Sequence, residues 1–276
     1  TNLSWQVVES LPVSETIKTG SHPRDEHIKA WIESMENLSE LGINVICYNF
    51  MPILDWTRTE LAAPMSSGAT AMYFNLLDFI AFDCFILERT NAQSDYEKQL
   101  VDIAKNRFEG FSKEKKLTLS KNITAGLPGA GEKLTFQEVK RRLEGYSGID
   151  ADKLRENFKY FLDAVVPTAE KLGVRLCCHP DDPPWPLLGL PRIMSTEEDY
   201  NWLVNVHPSK ANGITLCTGS LGTSFENDLP GMVSRLGKHI HFLHLRNVTR
   251  EQESIPTSFY EDEHLSGNTD MIETIS

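Results

Sequence analysis

Positive charge is scarce in this sequence: 27 Lys and Arg stand against 39 Asp and Glu, a formal net charge of −12. Nucleic-acid backbones are bound by clustered Lys and Arg, and here the basic residues are scattered among more numerous acids. That excludes nucleic acid as a partner and favours a small substrate. Long apolar runs are missing too. None approaches the roughly 20 residues that cross a bilayer, and no basic stretch leads into an apolar one near the start, so no membrane partner and a cytoplasmic location are expected. Cysteine is sparse and odd in number: of Cys47, Cys84, Cys177, Cys178 and Cys217, four lie inside apolar strand-like runs. Reduced thiols fit this better than a disulfide framework, and the Asn-x-Ser/Thr matches at Asn37, Asn122 and Asn247 then read as chance. A nucleotide-binding glycine loop is also lacking. The nearest stretch, Gly126 to Lys133, fits neither G-x-G-x-x-G nor the P-loop and reads as a loop between helices.

What the chain does contain is a repeated unit. SELGINVICYN (39–49), EKLGVRLCCHP (170–180) and SRLGKHIHFLHLR (234–246) each close an amphipathic helix with Leu-Gly and run into a strand with a polar tip; SKANGITLCTGS (209–220) replaces Leu-Gly with Asn-Gly. In each, Gly suits the left-handed position that ends a helix, and the run after it suits a strand buried on both faces. Apolar residues at three- and four-residue spacing predict helices over Ile28–Leu41, Lys153–Leu172 and Leu229–Leu236, and Ser195-Thr196-Glu197-Glu198 reads as a capping box.

Helix followed by strand, repeated, implies a parallel sheet with helical crossovers, either doubly wound or a (β/α)8 barrel. Polar residues stand at strand tip after strand tip, at Glu9, Asn49, His179, Cys217 and His244. That favours the barrel, whose tips converge on one mouth. Strands are expected near 3–8, 43–49, 72–76, 174–179, 213–217 and 240–246, with a mainly helical excursion at about 78–172, all in a single domain over 1–276. The strand-like Leu3–Val8 and the lack of an initiator Met lead us to expect a barrel without its first and last strands.

Side chains alternate along a strand, so His179, Cys217 and His244 are expected to face the mouth from three successive strands. Each alone is more often a buried core residue. Together they suggest a divalent transition-metal site that wants one more ligand. His244 is preferred over His241 because it stands nearer the tip. Arg246 should face the same mouth, where a guanidinium would grip a carboxylate, although a rim ion pair fits equally. Asp181 and Asp182 sit among prolines and read as a stiff loop that shapes the mouth.

Over essentially its whole length the chain resembles the metal-dependent mannonate dehydratases of the xylose-isomerase-like barrel type. The resemblance rests on VVESLPVSETIKTG (7–20), CYNFMPILDWTRT (47–59), LRENF (154–158), HPDDPPWPLLGLPRI (179–193), NGITLCTGSLG (212–222) and HLRNV (244–248). It implies a lyase that removes water from D-mannonate to give 2-keto-3-deoxy-D-gluconate in glucuronate breakdown. It also implies Mn²⁺ or Fe²⁺ held by His179, Cys217 and His244, and a homo-oligomer such as a dimer. Arg246 is then the candidate for the substrate carboxylate and Asn49 for a hydroxyl, with Arg58 and His264 as further substrate contacts. The family's Arg-Pro-Asp-His string, which carries another ligand and a neighbouring His, does not occur before Ser276, so the acid and base are expected beyond it. Two rivals remain, a sugar isomerase on the same barrel and a non-catalytic sugar-acid binder.

Overall fold

The computed structural model describes residues 3–126 and 134–276. The glycine-rich stretch read as an interhelical loop lies, from residue 127 to 133, outside the described residues. Nine strands follow in chain order: β1 (Val7–Glu9), β2 (Val45–Tyr48), β3 (Glu60–Pro64), β4 (Thr70–Phe74), β5 (Arg175–Cys178), β6 (Asn212–Cys217), β7 (Ile240–His244), β8 (Asn247–Arg250) and β9 (Phe259–Asp262). Five of them form a parallel sheet in the order β1-β2-β5-β6-β7, and four form an antiparallel sheet in the order β3-β4-β9-β8.

The parallel sheet is strongly curled. Four gaps of roughly 4.8 Å would hold the tips of its edge strands about 19 Å apart if it were flat. Instead Glu9 on β1 and His244 on β7 place a carboxylate oxygen and a ring nitrogen 3.1 Å apart. The fold is therefore α/β with a curled parallel sheet, of five strands among the described residues.

Helices cover the outside of this sheet for the reasons the spacing suggested. The helix Ala151–Leu172 starts at Asp150, whose side chain accepts from the Lys153 N–H, and stops at Gly173 with φ of 69°. It buries Leu154, Phe158, Phe161, Leu162, Val165, Val166 and Ala169, a stripe at three- and four-residue spacing. Phe158 stacks on Phe50 at 4.2 Å, and Phe161 meets Trp31 of the helix Arg24–Glu40 edge-on at 5.1 Å. Burying a ring of this size is worth roughly 1.5–3 kcal/mol.

Several sequence expectations need correction. The capping box is Thr196 with Asp199, one residue later than read, because Asp199 and not Glu198 reaches back to the cap. Gly42 and Gly173 take the left-handed conformation, but Gly237 is right-handed and Gly213 lies inside β6. A Cβ on Gly213 would come within 2.4 Å of the His241 ring, so close approach accounts for that glycine. The weak strand near 72–76 exists as β4, yet it pairs antiparallel with β3 and β9 and adds nothing to the parallel sheet.

The two sheets are clamped by buried charge. Arg58, which has no exposed surface, donates to Asp182 at 2.7 Å and to Glu261 of β9 at 2.7 Å. Its guanidinium also lies 4.7 Å from the Trp56 ring and 4.7 Å from that of Phe259. Burial would raise the Asp182 carboxyl, but the charges of Arg58 and Arg246 outweigh it and hold the group far below the ordinary carboxylate range. Removing one partner of such a pair strands the other and costs about 3–5 kcal/mol. Arg58→Ala is expected to lose that much stability in urea denaturation at pH 7. A carboxylate depressed in the folded state stabilises above its unfolded pKa of about 3.9 and ceases to as pH falls; the gap between wild type and Arg58→Ala should therefore persist above pH 4 and narrow below it.

Candidate metal centre

Three parallel strands end by turning a ligand-type side chain into the mouth. His179 follows β5, its N–H bonded to the Tyr48 carbonyl at 2.9 Å; Cys217 ends β6 and His244 ends β7, opposite each other in register. One nitrogen from each imidazole and the sulfur all lie within 4.8 Å of one another.

The spacing suits a shared ion. Two nitrogens bound to one metal at about 2.1 Å sit roughly 3.0–3.4 Å apart, and His179 Nε2 lies 3.3 Å from His244 Nδ1. His179 Nδ1 faces the Pro180 carbonyl at 2.8 Å. A carbonyl only accepts, so Nδ1 carries a proton, and it is Nε2 that a neutral ring would offer to an ion at the centre. Two imidazoles and a thiolate form a donor set for a transition metal rather than for Mg²⁺ or Ca²⁺.

The electrostatics agree. Burial would push the Cys217 thiol up, but the charges of Arg246 and His179 bring it well below its ordinary value, so the sulfur is in its ligand form. Burial disfavours a charged His179, yet the thiolate and the Glu9 carboxylate raise it to about 9. Hydrogen bonds to Cys217 and Glu9 raise His244 to about 10. Without an ion the trio is a compact cluster of one negative and two positive groups, and a divalent metal supplies the same positive charge.

Glu9 carries a role the sequence reading left unassigned. Its Oε1 stands 3.1 Å from His244 Nδ1 and 3.7 Å from His179 Nε2. Its place among the polar strand tips was the available signal. Glu9 and Ser10 also open a cleft of about 910 Å³ that runs past Ser14, Lys18 and Asp55 to Tyr146. Its lining mixes polar side chains such as Ser14, Lys18 and Asp55 with apolar Val13, Ile53 and Leu54.

The remaining candidates are placed unevenly. Asn49 is buried beside this mouth, its Nδ2 lying 3.5 Å from Ser10 Oγ. Arg246 reaches the site from beyond β7, but its fork is taken by the protein itself: Nη2 donates to Asp182 at 2.5 Å and Nη1 lies 3.3 Å from Glu261. Arg58, expected as a substrate contact, is sealed inside the clamp and presents no surface to a ligand. His264 sits exposed on the rim, facing the Leu245 carbonyl at 3.1 Å, apart from the trio. Asp181 accepts from the Met194 N–H and the Ser195 hydroxyl, so the prolyl loop is braced by both aspartates. Cys47, Cys84, Cys177 and Cys178 are free and buried, and His241 bonds the Leu176 carbonyl at 2.8 Å.

Comparison with known proteins identifies the family. The family model described as D-mannonate dehydratase (UxuA) matches residues 1–276. A mannonate dehydratase of Rhizobium meliloti (strain 1021) is 50% identical over 274 residues, 99% of this chain and 68% of that protein. One from Chromohalobacter salexigens is 47% identical over 273 residues, 99% and 69% respectively. The crystal structure of mannonate dehydratase from Streptococcus suis serotype 2 superposes with a TM-score of 0.72 at 33% identity, covering 99% of this chain and 64% of that one. The chain thus spans about two thirds of the length of these relatives, and over that span it belongs to the D-mannonate dehydratase family.

Proposed function

We propose that this protein dehydrates D-mannonate to 2-keto-3-deoxy-D-gluconate with a divalent Mn²⁺ or Fe²⁺ ion held by His179, Cys217 and His244. The observation that carries the reading is the meeting of those three side chains beside Glu9, which also lines the cleft, in a chain of this family. We read the curled sheet as part of a (β/α)8 barrel and the five free thiols as those of a cytoplasmic protein.

The reaction removes the proton on the carbon beside the carboxylate and expels the hydroxyl one carbon further. When bound, the metal supplies Lewis acidity for negative charge that develops on substrate oxygens, worth several kcal/mol. The Pro180 carbonyl keeps the His179 ring oriented toward the ion. Glu9, one third exposed on the open side of the site, offers its carboxylate to a substrate hydroxyl or to a proton in transit. Asn49, on the neighbouring tip, provides an amide to hold a second hydroxyl. Arg246 acts through its charge: with its fork bound to Asp182 and Glu261 it adds a fixed positive field beside the thiolate.

An anaerobic assay of the Mn²⁺-loaded protein with D-mannonate should yield the 2-keto-3-deoxy acid, and chelator should abolish it. Aldose-to-ketose conversion without loss of water would instead identify an isomerase. Replacing His179, Cys217 or His244 with Ala should weaken Mn²⁺ binding by at least about tenfold in calorimetric titration, the scale on which even outer partners of a ligand act, whereas Cys47→Ala should not. Asn49→Ala should lower kcat/KM about 3–10-fold, the worth of one hydrogen bond.

A further inference from the structure

Ser220 lies outside the trio of ligand side chains yet touches both the sulfur and the charged clamp behind it. Its backbone N–H donates to Cys217 Sγ at 3.4 Å, and its hydroxyl lies 3.3 Å from the same sulfur. The hydroxyl also stands 3.0 Å from Asp182 Oδ2, and Arg246 Nη2 donates to it at 3.0 Å. A hydroxyl has one proton to give. With Arg246 donating to its oxygen, that proton goes either to the carboxylate or to the sulfur.

The surroundings decide between them. Asp182 already accepts from Arg58 at 2.7 Å and from Arg246 at 2.5 Å, so it is satisfied without the serine. Cys217 is fully buried. Once the imidazoles of His179 and His244 turn lone pairs to an ion, those nitrogens donate nothing to the sulfur, and Ser220 is left as its donor through both N–H and O–H. Gly219 makes the arrangement possible, because a Cβ there would fall 1.9 Å from Arg246 Nε and block the guanidinium from reaching the serine.

We infer that Ser220 is a positioning residue for the metal-binding thiolate: braced by Asp182 and Arg246, it fixes the direction of Cys217 Sγ and draws off part of its charge. The inference rests on the reading of His179, Cys217 and His244 as metal ligands. It predicts that Ser220 acts on the metal–sulfur bond specifically, with the imidazole ligands unaffected.

The test is titration of the full chain with Co²⁺, followed by the thiolate-to-cobalt charge-transfer absorption and by the affinity, with far-UV circular dichroism to check folding. Ser220→Ala should bind Co²⁺ about 10–100-fold more weakly and shift the charge-transfer band. In a Cys217→Ala background the same change should cost nothing further. Ser220→Gly removes the same hydroxyl and takes the place of Ser220→Ala if that variant does not fold. A folded variant with unchanged affinity and an unmoved band overturns the inference, as does an equal loss of affinity with and without Cys217. Wild-type chain that takes up no cobalt overturns the metal reading and this inference with it, so the two failures are distinguishable.

Discussion

One carboxylate, Asp182, holds the closed side of this site together. It is buried between the guanidiniums of Arg58 and Arg246 and faces the hydroxyl of Ser220. Those partners come from the segment before β3, the turn after β7 and the turn after β6, and through Arg58 and Arg246 the network extends to Glu261 on β9. Withdrawing these charges from water costs several kcal/mol per ion, so the network is a weak source of net stability. Its return is geometric. Hydrophobic packing would tolerate small slides of one sheet on the other, whereas bidentate pairing at 2.7 and 3.3 Å fixes both distance and angle. The tips that carry the metal-type side chains are thereby held in one arrangement before any ion or substrate arrives.

The parallel sheet and its helices were legible because they obey strong patterns. β6 is buried along its whole length and opens on Asn-Gly, with Ile214, Leu216 and Cys217 among its six residues, and the helix Ala151–Leu172 shows its stripe and both of its caps. Of the antiparallel sheet only β4 was legible, as an isolated weak strand, since the others carry weaker signals. β3 is ELAAP, rich in residues that disfavour strands, and β8 and β9 are four-residue segments, NVTR and FYED, with few apolar positions. They are strands because tertiary packing and the Arg58 clamp make them so. The same limit applied at the site. His179, Cys217 and His244 share a face by simple alternation, which sequence reveals. The fate of Arg58 and Arg246 depended on which carboxylates lay within reach, and residues 58, 182 and 261 come together only in three dimensions.

The site is asymmetric, and the asymmetry sets how a ligand meets it. On one side Cys217 and Ser220 are wholly buried, backed by Asp182 and two arginines, with no room for a substrate atom. On the other, His244 and Glu9 each keep about a third of their side-chain surface, 35% and 33%, and the polar cleft begins at Glu9. On the proposed function, a substrate would reach the site from the Glu9 side, because the Cys217 side is closed. Were a metal held by His179, Cys217 and His244, the thiolate would temper its Lewis acidity, and the positive field of Arg246 would oppose that effect by drawing charge back from the sulfur. Arg246, which sequence leaves open between a substrate carboxylate and a rim ion pair, has its guanidinium held by carboxylates of the protein itself, so it would serve such chemistry through its charge and not by gripping the substrate.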